Sequence, residues 1–247
     1  MKYKQNSSVK DKVLNPKLKA MSDRIRNKEL RGKVVDLLEN PSFEINGKRF
    51  SGPPLDIAQA GLSHHHCYPG GYIEHVASAA NLALALCDSV EKIYRGRVNR
   101  DIVIAGVLLH DLYKPTTYTF NKADTCSSSR LADHLDHLSL AISELVRRDF
   151  PLELIHVVAA HHGEYSPIRP HTVEALICHL ADLADSRLNG EVLNAAAYLT
   201  RKAVGQELFA LTSKEAFEIV ASKAVEGEDG VTKAYTKIKR ERETHKA

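Results

Sequence analysis

The stretch that most limits how this chain can fold is Ile102-Val103-Ile104-Ala105-Gly106-Val107-Leu108-Leu109-His110-Asp111. Eight successive apolar or small residues leave no polar face, so the segment reads as a helix buried on all sides. It carries the adjacent His110-Asp111 pair into the interior. Buried ionisable groups are costly unless they are paired or hold a cation. The doublet therefore asks for a partner. A hydrogen bond capping the helix end and a metal ion both satisfy that demand.

A chain of 247 residues supports one sizeable domain with additions, or two small ones. Hydrophobic content of 43% is enough for a real core. No segment approaches the ~20 apolar residues of a membrane span, so no membrane partner is expected. Met1-Lys2-Tyr3-Lys4-Gln5 has no apolar stretch behind it, so no secretory signal is read. Cys67, Cys87, Cys126 and Cys178 lack CxxC spacing and resemble neither a zinc knuckle nor a disulfide framework. A cytoplasmic protein with reduced thiols is expected. The net charge of +3 is concentrated at the ends: six lysines in residues 1–20, and Lys237, Lys239, Arg240, Arg242 and Lys246 in the tail. These read as solvated termini. Contact with a polyanion is the alternative, without the interleaved aromatics of a stacking platform.

Histidine is the anomaly. Of thirteen, all but His245 fall between His64 and His179. The surrounding pattern predicts an all-α fold. A helix is expected over Ser22–Leu38 with Ser22 as cap. A hairpin follows around Asn46-Gly47, the only β-structure expected. A long helix opens at Gly70-Gly71. Asp101 is read as the cap of the buried helix. Residues 115–130 read as a polar loop, long enough to be a lid. Further helices are expected over 132–148, from Pro151 through His161-His162, from Thr172 to about Leu188, and over 191–205, 213–225 and 231–244. Three units are drawn: 1–54, 55–205 and a helical extension, 206–247.

Successive helices carry His or Asp near an end or on an inward face: Glu74-His75, then His110-Asp111, then His134 and His137, then His161-His162, and last His179, Asp182 and Asp185. No single helix holds a HExxH-type pair, so a metal site would be assembled from several helices. Imidazole and carboxylate donors without thiolate suit manganese, iron, zinc or magnesium. His161 and His162 would point about 100° apart on a helix, so one of them at most need be a ligand.

Five short segments sharpen the reading. They are Tyr68-Pro69-Gly70-Gly71-Tyr72-Ile73-Glu74-His75, His110-Asp111-Leu112-Tyr113-Lys114, Asp136-His137-Leu138, Ala160-His161-His162-Gly163-Glu164, and Glu174 through Asp185 with Asp182 near its end. In this order they resemble the HD superfamily of metal-dependent phosphohydrolases over about residues 60–190. They look most like the branch of 3′-to-5′ exoribonucleases whose HD domain follows an OB-fold. Residues 1–55 are too short and too helical for that OB-fold.

The resemblance implies a helical HD bundle with one or two divalent ions. His75, His110, Asp111 and Asp182 would bind the first. Asp111 would bridge to a second, held by His137 with His161, His162 or both. Such ions share a hydroxide nucleophile and clamp a phosphoryl group for in-line displacement. Asp111 and Lys114 are the expected catalytic pair, Lys114 neutralising a phosphate oxygen. His65, His66 and Arg187 are further candidates for substrate contact. Glu164, His179 and Asp185 are expected to orient imidazoles. The expected activity is hydrolysis of a phosphomonoester or phosphodiester in a nucleotide or nucleic acid. A nucleotide-sensing module without turnover and a nucleic-acid-binding adaptor working through the basic ends are the alternatives. The oligomeric state stays open.

Overall fold

The computed structural model describes residues 14–120 and 126–244. The basic residues before Leu14 lie outside them, as does the centre of the expected lid. Among the described residues there are eight α-helices and two small two-stranded sheets, so the fold is all-α as expected.

The apolar run forms α4, Arg100–Leu109, and each residue from Ile102 to Leu109 is buried. It packs against α1 (Pro16–Ser22), α2 (Lys28–Glu39), α3 (Gly71–Lys92), α6 (Leu152–Ala159) and α7 (Val173–Val204). Burying one Leu, Ile or Val side chain contributes roughly 1.5–3 kcal/mol. This central helix is therefore the main anchor of the fold.

Several local expectations are corrected. The helix expected from Ser22 begins only at Lys28, and Ser22 instead ends the separate helix α1. Asn27 caps α2, its side chain accepting from Leu30 N–H. Asp101 does not cap α4. Asn99 does that, while the Asp101 carboxylate accepts the N–H groups of Arg26 and Asn27 and so fixes the turn between α1 and α2. The expected hairpin is β1 (Ser42–Ile45) with β2 (Lys48–Ser51), turning through Asn46 (φ 51°) and Gly47 (φ 72°). It is not the only one. Tyr118–Phe120 (β3) pairs antiparallel with Cys126–Ser128 (β4) inside the stretch read as a polar loop, in strands too short to show alternation.

The helix expected from Ala132 begins only at His137, where Asp136 caps α5 (His137–Arg147). Helix α6 stops at Ala159, so His161 and His162 lie in the turn beyond it. Residues 173–204 form one helix of 32 residues, not two. Gly190, between the two expected helices, packs against the His64 carbonyl, where a Cβ would sit at 2.9 Å. Helix α8 (Ser213–Thr244) is interrupted at Gly227 (φ 67°) and packs on α7 around a small core of Ala196, Ala216, Ile219, Val231 and Ile238. No helix among the described residues is long and apolar enough to cross a membrane.

Candidate metal centre

Five elements deliver side chains to one place. Helix α3 contributes His75, the end of α4 gives His110 and Asp111, and the start of α5 gives His137. The turn after α6 gives His161 and His162, and α7 gives Asp182 and Asp185. His75, His110, Asp111 and His161 are wholly buried.

The first donor set has a regular spacing. His75 Nε2 lies 3.3 Å from both His110 Nε2 and Asp182 Oδ1, and 3.5 Å from Asp111 Oδ2. His110 Nε2 lies 3.5 Å from Asp111 Oδ2 and 3.6 Å from Asp182 Oδ1. Four donors bound at about 2.0–2.1 Å in a tetrahedron sit about 3.3–3.4 Å apart. These atoms are therefore spaced as ligands of one ion.

The second set uses the other oxygen of the same carboxylate. Asp111 Oδ1 faces His137 Nε2 at 3.3 Å and His161 Nε2 at 3.6 Å, with the ring of His162 against that of His161. These three atoms are buried and hydrogen-bond to nothing. Orphaned buried donors and acceptors are rare and demand a partner. A cation held among Asp111, His137 and His161 would satisfy all three, and the donor set of imidazole and carboxylate suits a divalent transition metal.

The imidazoles are aimed by their Nδ1–H groups. His75 donates to Asp185 Oδ2 at 2.7 Å, His110 to Val107 O at 2.8 Å and His161 to Val158 O at 2.7 Å. Each bond fixes the tautomer that leaves Nε2 free toward the centre. His179 Nδ1–H donates to His161 O at 2.7 Å and so holds the turn carrying His161 and His162. Because that turn has left the helix, both rings reach one donor group with Asp111 and His137, and the limit set by a 100° helical offset does not apply.

The electrostatics favour cations. Burial pushes the Asp111 carboxyl up, but Lys114, His110, His137 and His161 outweigh it and hold it well below the usual range. Lys114 Nζ donates to Asp111 Oδ2 at 2.6 Å. For Asp182 burial is likewise outweighed, by His110 and His75, and for Asp185 by His75. Burial depresses His161, and it lowers His162 to about 3. His75 alone is raised, because Asp111, Asp182 and Asp185 overcome its burial.

Other candidates fall differently. The rings of His65 and His66 lie 5.0 and 5.4 Å from that of His75, so both border the cluster. Glu164 is exposed and faces Arg169 at 3.9 Å, not an imidazole, so its orienting role is withdrawn. Arg187 is exposed on α7, two residues and about 200° of helix from Asp185, so the structure does not bring it to the centre. His134 is exposed and His156 stacks on His171, both away from it. Sequence reasoning missed Asn189, a buried residue whose Oδ1 accepts His66 N–H at 2.7 Å, and Ser213, which receives the Asn189 amide at 2.7 Å. Neither stands in a motif or at a telling spacing.

Comparison with known proteins agrees with this geometry. A family model for the HD domain matches residues 72–187. Dihydroneopterin 2′,3′-cyclic phosphate phosphodiesterase of Methanocaldococcus jannaschii is 45% identical over 169 residues, covering 68% of each chain. The 3′-5′ exoribonuclease YhaM of Listeria monocytogenes is 34% identical over 149 residues, 53% of this chain and 43% of that protein. YhaM of Bacillus velezensis is 30% identical over 160 residues, 57% of this chain and 46% of that one. The chain thus spans less than half the length of the exoribonucleases it matches. No solved structure matches significantly. With its donors converging from five elements, the chain belongs to the HD superfamily of metal-dependent phosphohydrolases.

Proposed function

We propose that this phosphohydrolase opens a small cyclic phosphodiester, of the 2′,3′-cyclic phosphate class carried by a heterocycle-bearing polyol or nucleoside, with two divalent metals bound. The carrying observation is Asp111, whose Oδ2 faces His75 and His110 while its Oδ1 faces His137 and His161. His75, His110, Asp111 and Asp182 would hold one ion, and Asp111, His137, His161 and His162 the other. Manganese, iron, zinc and magnesium are the candidate metals. Bound there, such a pair activates water and polarises the phosphoryl group.

This chain's own residues bind and orient. Lys114 is partly exposed and sits at the edge of the cluster. There its ammonium neutralises a non-bridging phosphate oxygen as charge builds. His65 and His66 close the side next to His75. The cyclic substrate is favoured by the greater identity and coverage of the Methanocaldococcus enzyme. RNA is the second reading, favoured by the YhaM relatives. Against it, residues 14–56 form two helices and a hairpin, not an RNA-gripping barrel. Four free cysteines suit a reducing, cytoplasmic setting.

The test is a panel of a 2′,3′-cyclic nucleotide, dihydroneopterin 2′,3′-cyclic phosphate, a phosphomonoester and single-stranded RNA, assayed under each metal. Cyclic phosphodiesters should turn over fastest, and Asp111→Ala should lose turnover together with the metal that the two Asp111 donor sets would hold. Degradation of RNA without cyclic turnover overturns the substrate. Full activity in Asp111→Ala overturns the site.

A further inference from the structure

Beside the two donor sets lies a third group that the binuclear reading leaves without a metal. His64, His65 and His66 form a tight turn ahead of α3. His64 (φ 79°) and His66 (φ 47°) both adopt left-handed backbone conformations, which residues other than glycine hold only when their surroundings force them to. Three neighbours do so. Asn189 accepts the His66 N–H at 2.7 Å. Gly190 lets the His64 carbonyl approach, since a Cβ there would sit 2.9 Å away. A Cβ at Gly71 would overlap the His66 carbonyl.

The turn brings the His66 imidazole to a buried carboxylate and sets the His65 imidazole against that of His66. His65 Nδ1 and His66 Nδ1 are 3.2 Å apart, and Asp185 Oδ2 lies 3.8 Å from His66 Nδ1. One ring nitrogen from each of His65, His66 and His75 falls within 4.8 Å of the others. His66 and Asp185 are each only 3% exposed. A nitrogen–oxygen gap of 3.8 Å is too long for a hydrogen bond. The 3.2 and 3.8 Å separations bracket the roughly 3.3 Å edge of a tetrahedron with bonds of about 2.0–2.1 Å.

We propose that His65, His66 and Asp185 form an additional cation site, which takes a divalent first-row transition metal such as Zn²⁺ or Mn²⁺. Two imidazoles and one carboxylate, with no thiolate, match that class of ion. Asp185 Oδ2 also receives His75 Nδ1–H at 2.7 Å, so a single carboxylate joins this site to the first donor set. None of its three ligands is Asp111 or His110. Substitution of Asp111 therefore removes a ligand of the binuclear centre without removing one of this site.

The experiment strips the full chain with chelator, reloads it with Zn²⁺ or Mn²⁺, desalts it, and measures metal per chain by elemental analysis. His65→Ala/His66→Ala should hold one equivalent fewer than the wild type. Asp111→Ala should keep the equivalent that the double variant loses. Because His66 sits in a strained turn, His65→Gln is measured alongside, with circular dichroism as the check of folding. It too should lose one equivalent. The proposal is overturned if folded His65→Gln retains the wild-type stoichiometry, the pair then being a plain imidazole hydrogen bond. If Asp111→Ala loses all metal while His65→Gln loses none, it is equally overturned.

Discussion

Asn189 accepts the backbone N–H of His66 across 123 residues of sequence, and its own amide donates to Ser213 at the start of α8. Ser213 in turn meets Tyr68, whose hydroxyl donates to Glu74. The chain of bonds runs from the extension after α7 to the histidine turn beside the metal centre. Asn189→Leu leaves a buried N–H unpaired, a cost of about 1–3 kcal/mol. Urea unfolding of the full chain should show it, with a smaller loss in Ser213→Ala, which spares the Asn189–His66 bond. Equal losses in the two variants would contradict this order.

Lys114→Met separates phosphate contact from metal binding. Its Nζ donates to Asp111 Oδ2, one of the atoms of the first donor set. Removing the cation frees that oxygen and lifts a like-charge repulsion. Metal affinity, followed by calorimetric titration, should tighten. On the transition-state side, kcat/KM should fall about 10²–10³-fold. A parallel loss of metal would show that Lys114 holds the carboxylate in place instead.

Gly163→Ala tests the second donor set. Gly163 has φ 61°, and a Cβ there would overlap the His179 ring, whose Nδ1–H holds the His161 carbonyl. The strain and overlap together should cost about 1–3 kcal/mol. The variant should also bind fewer ions. Thermal melting and elemental analysis of the same sample check both.

Acid should unfold the metal-free protein early. Burial holds His65 and His162 at about 3 and His66 at about 4. The unfolded chain titrates near 6.5. Between these values the unfolded state binds protons that the folded state refuses. Stability from these groups is therefore full above pH 6.5 and falls as pH drops, by up to ~1.4 kcal/mol per pH unit for each. His75 has the opposite sign. Its folded value is raised, so its contribution is complete below pH 6.5 and fades only as pH rises through that value. It does not flatten the acid limb. Melting of the apoprotein at pH 7 and pH 5 should show the drop, and His162→Gln should reduce it.

The buried helix and the family were legible in the sequence because α4 has no polar face and because its doublet sits in an ordered set of motifs. The candidate donors from His75 to Asp182 could be proposed for the same reason, and the fold brings them together. What stayed hidden depends on contacts between distant segments. The boundary expected between 188 and 191 disappears because Gly190 lies within one helix, with the His64 carbonyl packed against it. Asp101 reads as a cap of its own helix until it is seen holding Arg26 and Asn27. Glu164 stands beside His162 in sequence, yet the turn at Gly163 sends it outward.

Asp182 rides in the first third of α7, and the same unbroken rod runs on to Val204. Twenty-two residues of helix make an arm of about 33 Å. A five-degree swing about Asp182 sweeps the distal tip by roughly 3 Å while moving the carboxylate almost not at all. Small displacements of the α8-packed tip should thus leave the donors in place, whereas an equal swing pivoted at the tip would drag Asp182 and Asp185 out of register with His75.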